Sequence, residues 1–314
     1  MSILPIDISV VIPVYKSQEI LPHLYERLAA VLTQSGGSYE VIFVCDCSPD
    51  NSWERLKEIA VIDSNIKPIL LRKNAGYDNA IMAGFAHSHG KFVVTMDDDL
   101  QHAPEDIPRL LEEINKGYDI VYGSYVHKKQ SKGKNFGSWI NGVTSNILLG
   151  NKQGIYLSPF KIIRREVIQE LNKYSGPFPY IDGILFTMTS SISQISITHF
   201  ERMSGSGNYS FLPSLRIWAN HITGFSILPL RVATLIGVFF ATISFTYAVF
   251  MLINWYALDR TPEGWMTITL GIIFFGGLQL IFTGIIGEYM GRTYLLTSKY
   301  PQFIIKETLN MKND

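Results

Sequence analysis

The chain has 314 residues, enough for one large domain with a smaller attachment or for two domains. It carries 27 acidic and 27 basic residues, so no charge excess indicates a nucleic-acid partner. Residues 1–7 lack a basic segment followed by an apolar core, and we expect no cleavable signal peptide. Cys45 and Cys47 lie two residues apart in a predicted extended segment and make a poor disulfide pair, which indicates reduced thiols in a cytosolic domain.

Strands and helices alternate along the first 125 residues. Runs of aliphatic and β-branched residues predict the strands, and segments with helical apolar spacing or small residues predict the helices. The predicted strands are Ile8–Tyr15, Tyr39–Val44, Lys67–Leu71, one beginning at Phe92, and Asp119–Gly123. The predicted helices are Glu19–Leu32, Trp53–Ser64, Ala80–Ser88 and Pro104–Lys116. This alternation indicates βαβ units in an α/β fold with a mostly parallel sheet.

The middle of the chain is less regular. It predicts a basic flexible loop at 127–134, two further helices and two further strands. The helices are Ser138–Leu149 and Glu166–Tyr174, and the strands are Ser158–Ile163 and Ser193–Phe200.

The last third changes character. Val232–Leu258 and Trp265–Gly287 contain no charged residue, and each exceeds the roughly 20 apolar residues that a bilayer crossing needs. We therefore predict a two-helix transmembrane hairpin at 230–289, with a buried hairpin of a soluble protein as the alternative. The other predicted parts are a cytosolic catalytic domain at 1–210, an amphipathic interfacial helix at 211–229 and a cytosolic tail at 290–314.

Basic residues flank the predicted hairpin on both outer sides. Arg216 and Arg231 precede it, and Arg292, Lys299 and Lys306 follow it. Because cytoplasmic flanks carry the excess of Lys and Arg, we expect both termini in the cytoplasm and a multi-pass protein of the inner membrane. The alternative for 211–229 is an ordinary core helix.

Three carboxylates, Asp97, Asp98 and Asp99, follow the strand that begins at Phe92. Open α/β sheets bind ligands at the carboxyl ends of their strands. Alternate residues of an extended chain point the same way, so Asp97 and Asp99 can converge on one divalent cation, which prefers oxygen ligands. A solvated acidic turn is the alternative interpretation.

Further polar turns, at Tyr15, Asp46 and Asn74, also follow predicted strands, so we expect them at the same edge of the sheet. Neither common Gly-rich phosphate loop is present, so a bound phosphate would be neutralised by the metal. Six segments carry a resemblance by their order along the chain: Ser9–Tyr15, Asp46–Asp50, Arg72–Gly76, Met96–Gln101, Arg202–Tyr209 and Gly287–Arg292. In this order they resemble family 2 glycosyltransferases of the GT-A fold, of the branch that makes polyprenyl-phosphate sugars. Bactoprenol glucosyltransferases and dolichol-phosphate mannose synthases belong to that branch.

The resemblance implies roles for individual residues. It implies that the nucleotide sugar is bound by Pro13, Tyr15, Asp46, Asn74, Gly76, Asp97 and Asp98. It implies catalytic roles for Asp97, Asp99, Gln101 and Asp182, with Asp97 and Asp99 holding Mg²⁺ or Mn²⁺. Lys161 and Arg202 would hold the lipid phosphate, since an anionic acceptor needs fixed cations. For Lys161 a solvated strand residue is the alternative.

The sequence departs from the pattern of the family at several positions. Cys45 stands where an Asp is usual, and Tyr125 stands where an Arg is common. Pro159, in Ser158–Lys161, replaces the acidic residue of an Asp-Phe-Arg segment. Asp182 is the candidate substitute carboxylate, and a helix N-cap is its alternative role.

The resemblance implies inverting transfer of a sugar, most simply a UDP-linked hexose, to undecaprenyl or another polyprenyl phosphate at the membrane. The product would serve cell-surface glycan modification, and the bilayer and a second copy of the chain are the other expected partners. A processive glycan synthase is a weaker interpretation, because no Gln-x-x-Arg-Trp acceptor motif is found. A catalytically impaired scaffold that binds lipid or a partner protein is the third.

Overall fold

The computed structural model describes residues 6–125, 154–176, 179–197, 228–258, 264–298 and 300–311. The chain divides into two compact units, Met1–Asn208 with Lys299–Asp314, and Tyr209–Ser298. Arg202, the predicted helix Ser138–Leu149 and the predicted interfacial helix up to residue 227 lie outside the described residues.

The first unit alternates strands and helices. Its strands are β1 (Ile8–Val14), β2 (Tyr39–Cys45), β3 (Ile69–Leu71), β4 (Phe92–Thr95), β5 (Ile120–Tyr125), β6 (Lys161–Arg164), β7 (Ile192–Ile197) and β8 (Ile305–Thr308). Its helices are α1 (Leu21–Gln34), α2 (Ser52–Ile62), α3 (Tyr77–Ala86), α4 (Ile107–Ile114), α5 (Arg165–Leu171) and α6 (Ile181–Met188), and a 3-10 turn, Pro104–Asp106, precedes α4. The predicted α/β fold is confirmed.

One sheet of eight strands runs through this unit in the order β7-β5-β6-β4-β1-β2-β3-β8. The pairs β1–β2, β1–β4, β2–β3 and β5–β7 are parallel, whereas β4–β6, β5–β6 and β3–β8 are antiparallel. The sheet is thus mixed, and the predicted mostly parallel arrangement is right only for the half that carries β1 to β4. The apolar pattern of a strand does not show its direction, so the alternation of strands and helices could not predict that β6 runs antiparallel to β4 and β5.

Continuous apolar runs place the central strands in the core. Every residue of β1 and β4 is buried, as a strand covered on both faces requires. Helix α1 buries its apolar stripe, which includes Leu21, Leu24 and Leu28, in the same apolar core as these strands. Helix α3 lies against β1 as well, and a Cβ on Gly84 would come within 2.3 Å of Val11 Cγ1. This close approach packs the carboxyl-terminal half of α3 directly against β1.

Two elements of the sheet unit were not predicted. Helix α6 lies in a segment for which no element was predicted, and β8 lies in the predicted tail at 290–314. Strand β8 pairs with β3, with Leu70 opposite Glu307. The tail of the chain therefore contributes an edge strand to the sheet.

The second unit contains α7 (Leu228–Leu258) and α8 (Trp265–Thr297), and α8 continues past the predicted end of the hairpin. The two helices contact each other through Phe240, whose ring lies 5.6 Å from that of Phe274. Large apolar side chains such as Leu235 and Leu280 are exposed on them. Within the part of the chain that the structure describes, no helix combines the length and hydropathy needed to cross a membrane.

Candidate active site

The turns that follow β1, β2 and β4 meet at one edge of the sheet, as predicted, because these strands are neighbours and parallel. The backbone N–H of Tyr15 donates to Asp98 Oδ2 at 3.3 Å, and the N–H of Lys16 donates to Ser48 Oγ at 2.7 Å. The hydroxyl of Ser17 also donates to Asp98 Oδ2. The three turns are thus held together by hydrogen bonds rather than only by proximity.

The acidic stretch is a candidate cation site. Asp97, Asp99 and His102 offer ligand atoms that lie within 4.8 Å of one another. Strand β4 ends at Thr95, so Asp97 and Asp99 converge through a turn and not, as predicted, through alternation on an extended strand. Leu100, with a φ of 60°, shapes that turn. Two carboxylates and an imidazole fit a divalent cation such as Mg²⁺ or Mn²⁺.

Sequence reasoning missed His102. Its ring is buried and stacks on Phe160, with the ring centroids 5.4 Å apart. A histidine three residues after Asp99 was the available signal, since a turn can bring such a residue back to the carboxylates. Gln101 is half-buried, and its backbone N–H donates to Asp99 Oδ1 at 3.1 Å.

Burial raises the pKa values of two carboxyls in this turn. Burial raises the pKa of Asp97 to about 7, with the hydrogen bond from Tyr77 opposing it and the charge of Asp99 adding to it. Burial likewise raises the pKa of Asp98 to about 6, opposed by the bonds from Ser17 and Tyr15. Without a cation, both carboxyls therefore take up protons at a higher pH in the folded chain than in the unfolded chain.

This predicts how the stability of the metal-free protein depends on pH. The contribution of Asp97 is complete below its ordinary pKa of 3.8 and is lost as the pH rises through about 7. With EDTA present, we expect Asp97→Asn to be more stable than the wild type near pH 8 and no more stable near pH 4. Urea unfolding at both pH values measures this, and an equal difference at both would contradict it.

Asp46 anchors the turn that precedes α3. Its buried carboxylate accepts the backbone N–H groups of Ala75 at 2.6 Å and Gly76 at 2.9 Å. The side chain of Asn74, itself exposed, donates to the backbone oxygen of Asp46 at 3.3 Å. The predicted nucleotide contacts Asp46, Asn74 and Gly76 therefore form one hydrogen-bonded group, in which both oxygens of Asp46 already bind backbone amides.

Gly76 has a φ of 89° and a ψ of 162°, a conformation that is essentially restricted to glycine. We expect Gly76→Ala to cost about 1–3 kcal/mol of unfolding free energy, although its Cβ would meet no atom within 4 Å. Denaturant unfolding measures this cost. Gly36→Ala is the control, because Gly36 also has a positive φ, of 71°, and lies in an open turn distant in sequence from Gly76. It should cost a similar unfolding free energy and leave the nucleotide affinity unchanged.

The remaining predicted nucleotide contacts differ in access. Tyr15 is 46% exposed beside the acidic turn, whereas Pro13 is buried within β1 and pairs in register with Val44. Asp98 uses Oδ2 to bind the turn after β1. The structure therefore gives Asp98 a role in joining two turns, and the ring of Tyr15 is accessible at this edge.

Lys161, predicted to hold a lipid phosphate, lies in a buried polar cluster. It is 4% exposed, its ammonium forms an ion pair with Asp182, and it lies 5.1 Å from the centre of the Tyr122 ring. The Tyr122 hydroxyl donates to the same oxygen, Asp182 Oδ1, at 2.8 Å. The solvated-strand alternative for Lys161 is therefore wrong.

Asp182 does not cap its helix. The N-cap of α6 is Tyr180, and the carboxylate of Asp182 binds Lys161 and Tyr122 instead. Burial raises the pKa of nearby Asp78 to about 7, with the charge of Asp182 adding to it and that of Lys161 opposing it. Lys161 also lowers the pKa of Asp97, so the ammonium is a shared counter-charge between the acidic turn and Asp182.

The departures from the family pattern have structural consequences. Cys45 is fully buried, and burial raises the pKa of its thiol to about 11. Both cysteines are free. The backbone oxygen of Pro159 accepts a hydrogen bond from Thr95 Oγ1 at 2.6 Å, and Tyr125 is the last residue of β5.

Placing at Cys45 the acid that is usual in the family should therefore destabilise this chain. We expect Cys45→Asp to lower the unfolding free energy by about 3 kcal/mol, because the carboxylate would be buried without a partner. Cys47→Asp, at the exposed neighbouring thiol, is the matched control and should change it by about 0.5 kcal/mol or less. Equal effects of the two substitutions would contradict the burial argument.

Comparison with known proteins identifies the family to which the chain belongs. The model of the family described as "Glycosyl transferase family 2" matches residues 9–171, just over half of the chain. "Uncharacterized glycosyltransferase YkcC" of Bacillus subtilis (strain 168) is 30% identical over 98% of this chain and 96% of its own length. The undecaprenyl-phosphate 4-deoxy-4-formamido-L-arabinose transferase of Proteus mirabilis (strain HI4320) is 32% identical over 97% of this chain and 94% of its own. Since both relatives cover nearly the whole chain, the protein belongs to glycosyl transferase family 2 and is a glycosyltransferase.

Proposed function

We propose that the protein transfers a hexose from a UDP-linked donor to undecaprenyl or another polyprenyl phosphate, with inversion at the anomeric carbon. The observation that carries the proposal is the similarity to undecaprenyl-phosphate sugar transferases along 97% of the chain. The convergence of Asp97, Asp99 and His102 at the carboxyl edge of the sheet supports it. The product would be a polyprenyl-phosphate sugar for cell-surface glycan modification.

Asp97, Asp99 and His102 would hold Mg²⁺ or Mn²⁺. When bound, the cation neutralises charge on the diphosphate leaving group. Tyr15, Asn74 and the backbone at Gly76 would line the nucleotide pocket, and Gln101 would face the sugar or the acceptor. These assignments rest on the position of the residues at the edge of the sheet where the turns after β1, β2 and β4 meet.

The attacking phosphate oxygen is already ionised at neutral pH, so the site needs positioning and charge neutralisation more than a strong general base. Arg202 and Lys161 are the proposed contacts of the acceptor phosphate. Because Lys161 is paired with Asp182, its contribution would be a fixed positive charge near the reacting groups unless the pair opens.

The test is incubation of the purified full-length protein with undecaprenyl phosphate and a panel of labelled nucleotide sugars. We expect one labelled lipid, formed only with Mg²⁺ or Mn²⁺ and abolished by EDTA. Chromatography of the lipid fraction measures it. No labelled lipid with any donor would contradict the proposed function.

We further propose that the second unit attaches the enzyme to the cytoplasmic face of the inner membrane. Exposed apolar side chains on α7 and α8, such as Leu235 and Leu280, support attachment. That residues 230–289 span the bilayer, and that both termini are cytoplasmic, stay predictions. Extraction by detergent but not by alkaline carbonate is expected, and release by carbonate would contradict integral attachment.

The second candidate is a catalytically impaired scaffold. The buried Cys45 at a position where an acid is usual, and the neutralised Lys161, favour it. Calorimetric titration of UDP and Mn²⁺ separates the two candidates. The proposed enzyme should bind both together, whereas a scaffold of this kind should bind neither.

A further inference from the structure

Residues 75–78 connect the turn after β2 to the acidic turn after β4. At one end, Asp46 binds the N–H groups of Ala75 and Gly76. Immediately beyond, the Tyr77 hydroxyl donates to Asp97 Oδ1 at 2.8 Å. One short segment therefore bonds to both turns.

The position of Tyr77 is set by the backbone before and after it. Gly76, at a φ of 89°, turns the chain into α3, and Tyr77 is the first residue of that helix. Farther along α3, Gly84 permits the close approach to Val11 on β1. The Asp46 bonds before Tyr77 and the packing of Gly84 after it hold the backbone of Tyr77 in place.

We propose that Tyr77 is a positioning residue for the metal-binding carboxylate of Asp97, and that Asp46 acts on Asp97 through Tyr77. This inference rests on the proposed function, because it takes Asp97 as a cation ligand. It gives Asp46 and Tyr77 roles in the metal site that neither the spacing of the acidic residues nor the resemblance assigns.

A carboxylate can rotate and can offer a cation either oxygen. A hydrogen bond from Tyr77 to Oδ1 restricts that rotation, so less order has to be imposed when the cation binds. Outer partners of metal ligands typically change affinity by about 10–100-fold. Tyr77 is 45% exposed, so its ring contributes little to the core and its hydroxyl can be removed without a large cavity.

The experiment measures Mn²⁺ affinity of the full-length protein by electron paramagnetic resonance without nucleotide, so that contacts with the donor play no part. We expect Tyr77→Phe to weaken Mn²⁺ binding by about tenfold. Tyr118→Phe is the matched control: Tyr118 lies just before β5, at the opposite edge of the sheet, and its loss of a hydroxyl should leave the affinity unchanged.

A double-substitution cycle tests the role of Asp46. Asp46→Asn keeps the shape but replaces one acceptor oxygen with a donor, so one of the two amide bonds is lost. We expect it to weaken Mn²⁺ binding severalfold in the presence of Tyr77, and to have no further effect in the Tyr77→Phe background.

The outcomes are distinguishable. Unchanged Mn²⁺ affinity in Tyr77→Phe would overturn the inference while leaving the proposed function standing. Multiplicative effects of Asp46→Asn and Tyr77→Phe would overturn the route through Tyr77. If the wild type binds no Mn²⁺, with or without UDP, the inference and the metal-dependent function both fail.

Discussion

Replacing Asp97 or Asp99 with asparagine is expected to lower the rate of sugar transfer by at least about a hundredfold. Both carboxylates belong to the group with His102 whose ligand atoms lie within 4.8 Å of one another. Asparagine keeps the size and one oxygen of the side chain but removes the charge that attracts a divalent cation. Transfer to undecaprenyl phosphate at saturating donor measures the effect.

The control is Asp63→Asn. Asp63 lies after α2, and its Oδ1 accepts the N–H of Asn65 at 2.9 Å, a bond that asparagine can also accept. The Asp63→Asn variant should transfer sugar at the wild-type rate. Far-ultraviolet circular dichroism of the Asp97 and Asp99 variants should be unchanged. Folded variants that retain wild-type rates would contradict a metal site at this turn.

Replacing Lys161 with methionine is expected to lower the unfolding free energy by about 3 kcal/mol. The side chain of Lys161 is 5% exposed and that of Asp182 is 17% exposed, so the substitution leaves a largely buried carboxylate without its counter-ion. Asp78 and Asp97 are close enough to interact with the same ammonium, which adds to the cost. Urea unfolding at neutral pH measures it.

Removing both charges of this pair should restore much of the loss. In Lys161→Met with Asp182→Asn, the carboxylate that formed the ion pair with Lys161 is removed as well, and the asparagine can still accept from Tyr122. Lys173→Met is the matched control, because Lys173 pairs with Glu170 at the surface and should change stability by about 0.5 kcal/mol or less. A double variant no more stable than Lys161→Met would contradict a charge-based account.

Sequence patterns predicted the features that depend on local order along the chain. The apolar runs of β1, β2 and β4 and the polar residues that follow them predicted the strands and the edge at which Tyr15, Asp46 and Asp97 lie. Parallel neighbours put their carboxyl ends together, so the position of the site followed from the strand pattern alone.

Features that depend on contacts distant in sequence were not predictable in the same way. Lys161 and Asp182 are 21 positions apart, and only the folding of β6 beside α6 shows that they neutralise each other. The pairing of β8 with β3 joins the tail to a strand that ends at Leu71. Tyr77 lay in the turn before the predicted helix Ala80–Ser88, and nothing in that segment indicates that its hydroxyl reaches Asp97.

The most direct test of the account asks whether one cation lies between the acidic turn and the diphosphate of the donor. Electron paramagnetic resonance of Mn²⁺ bound to the protein with UDP carrying ¹⁷O in its phosphates measures this. Broadening of the Mn²⁺ lines by ¹⁷O in the wild type, lost in Asp97→Asn and Asp99→Asn, is the predicted result. UDP that binds equally well with EDTA present, with no ¹⁷O broadening of any bound Mn²⁺, would contradict the account.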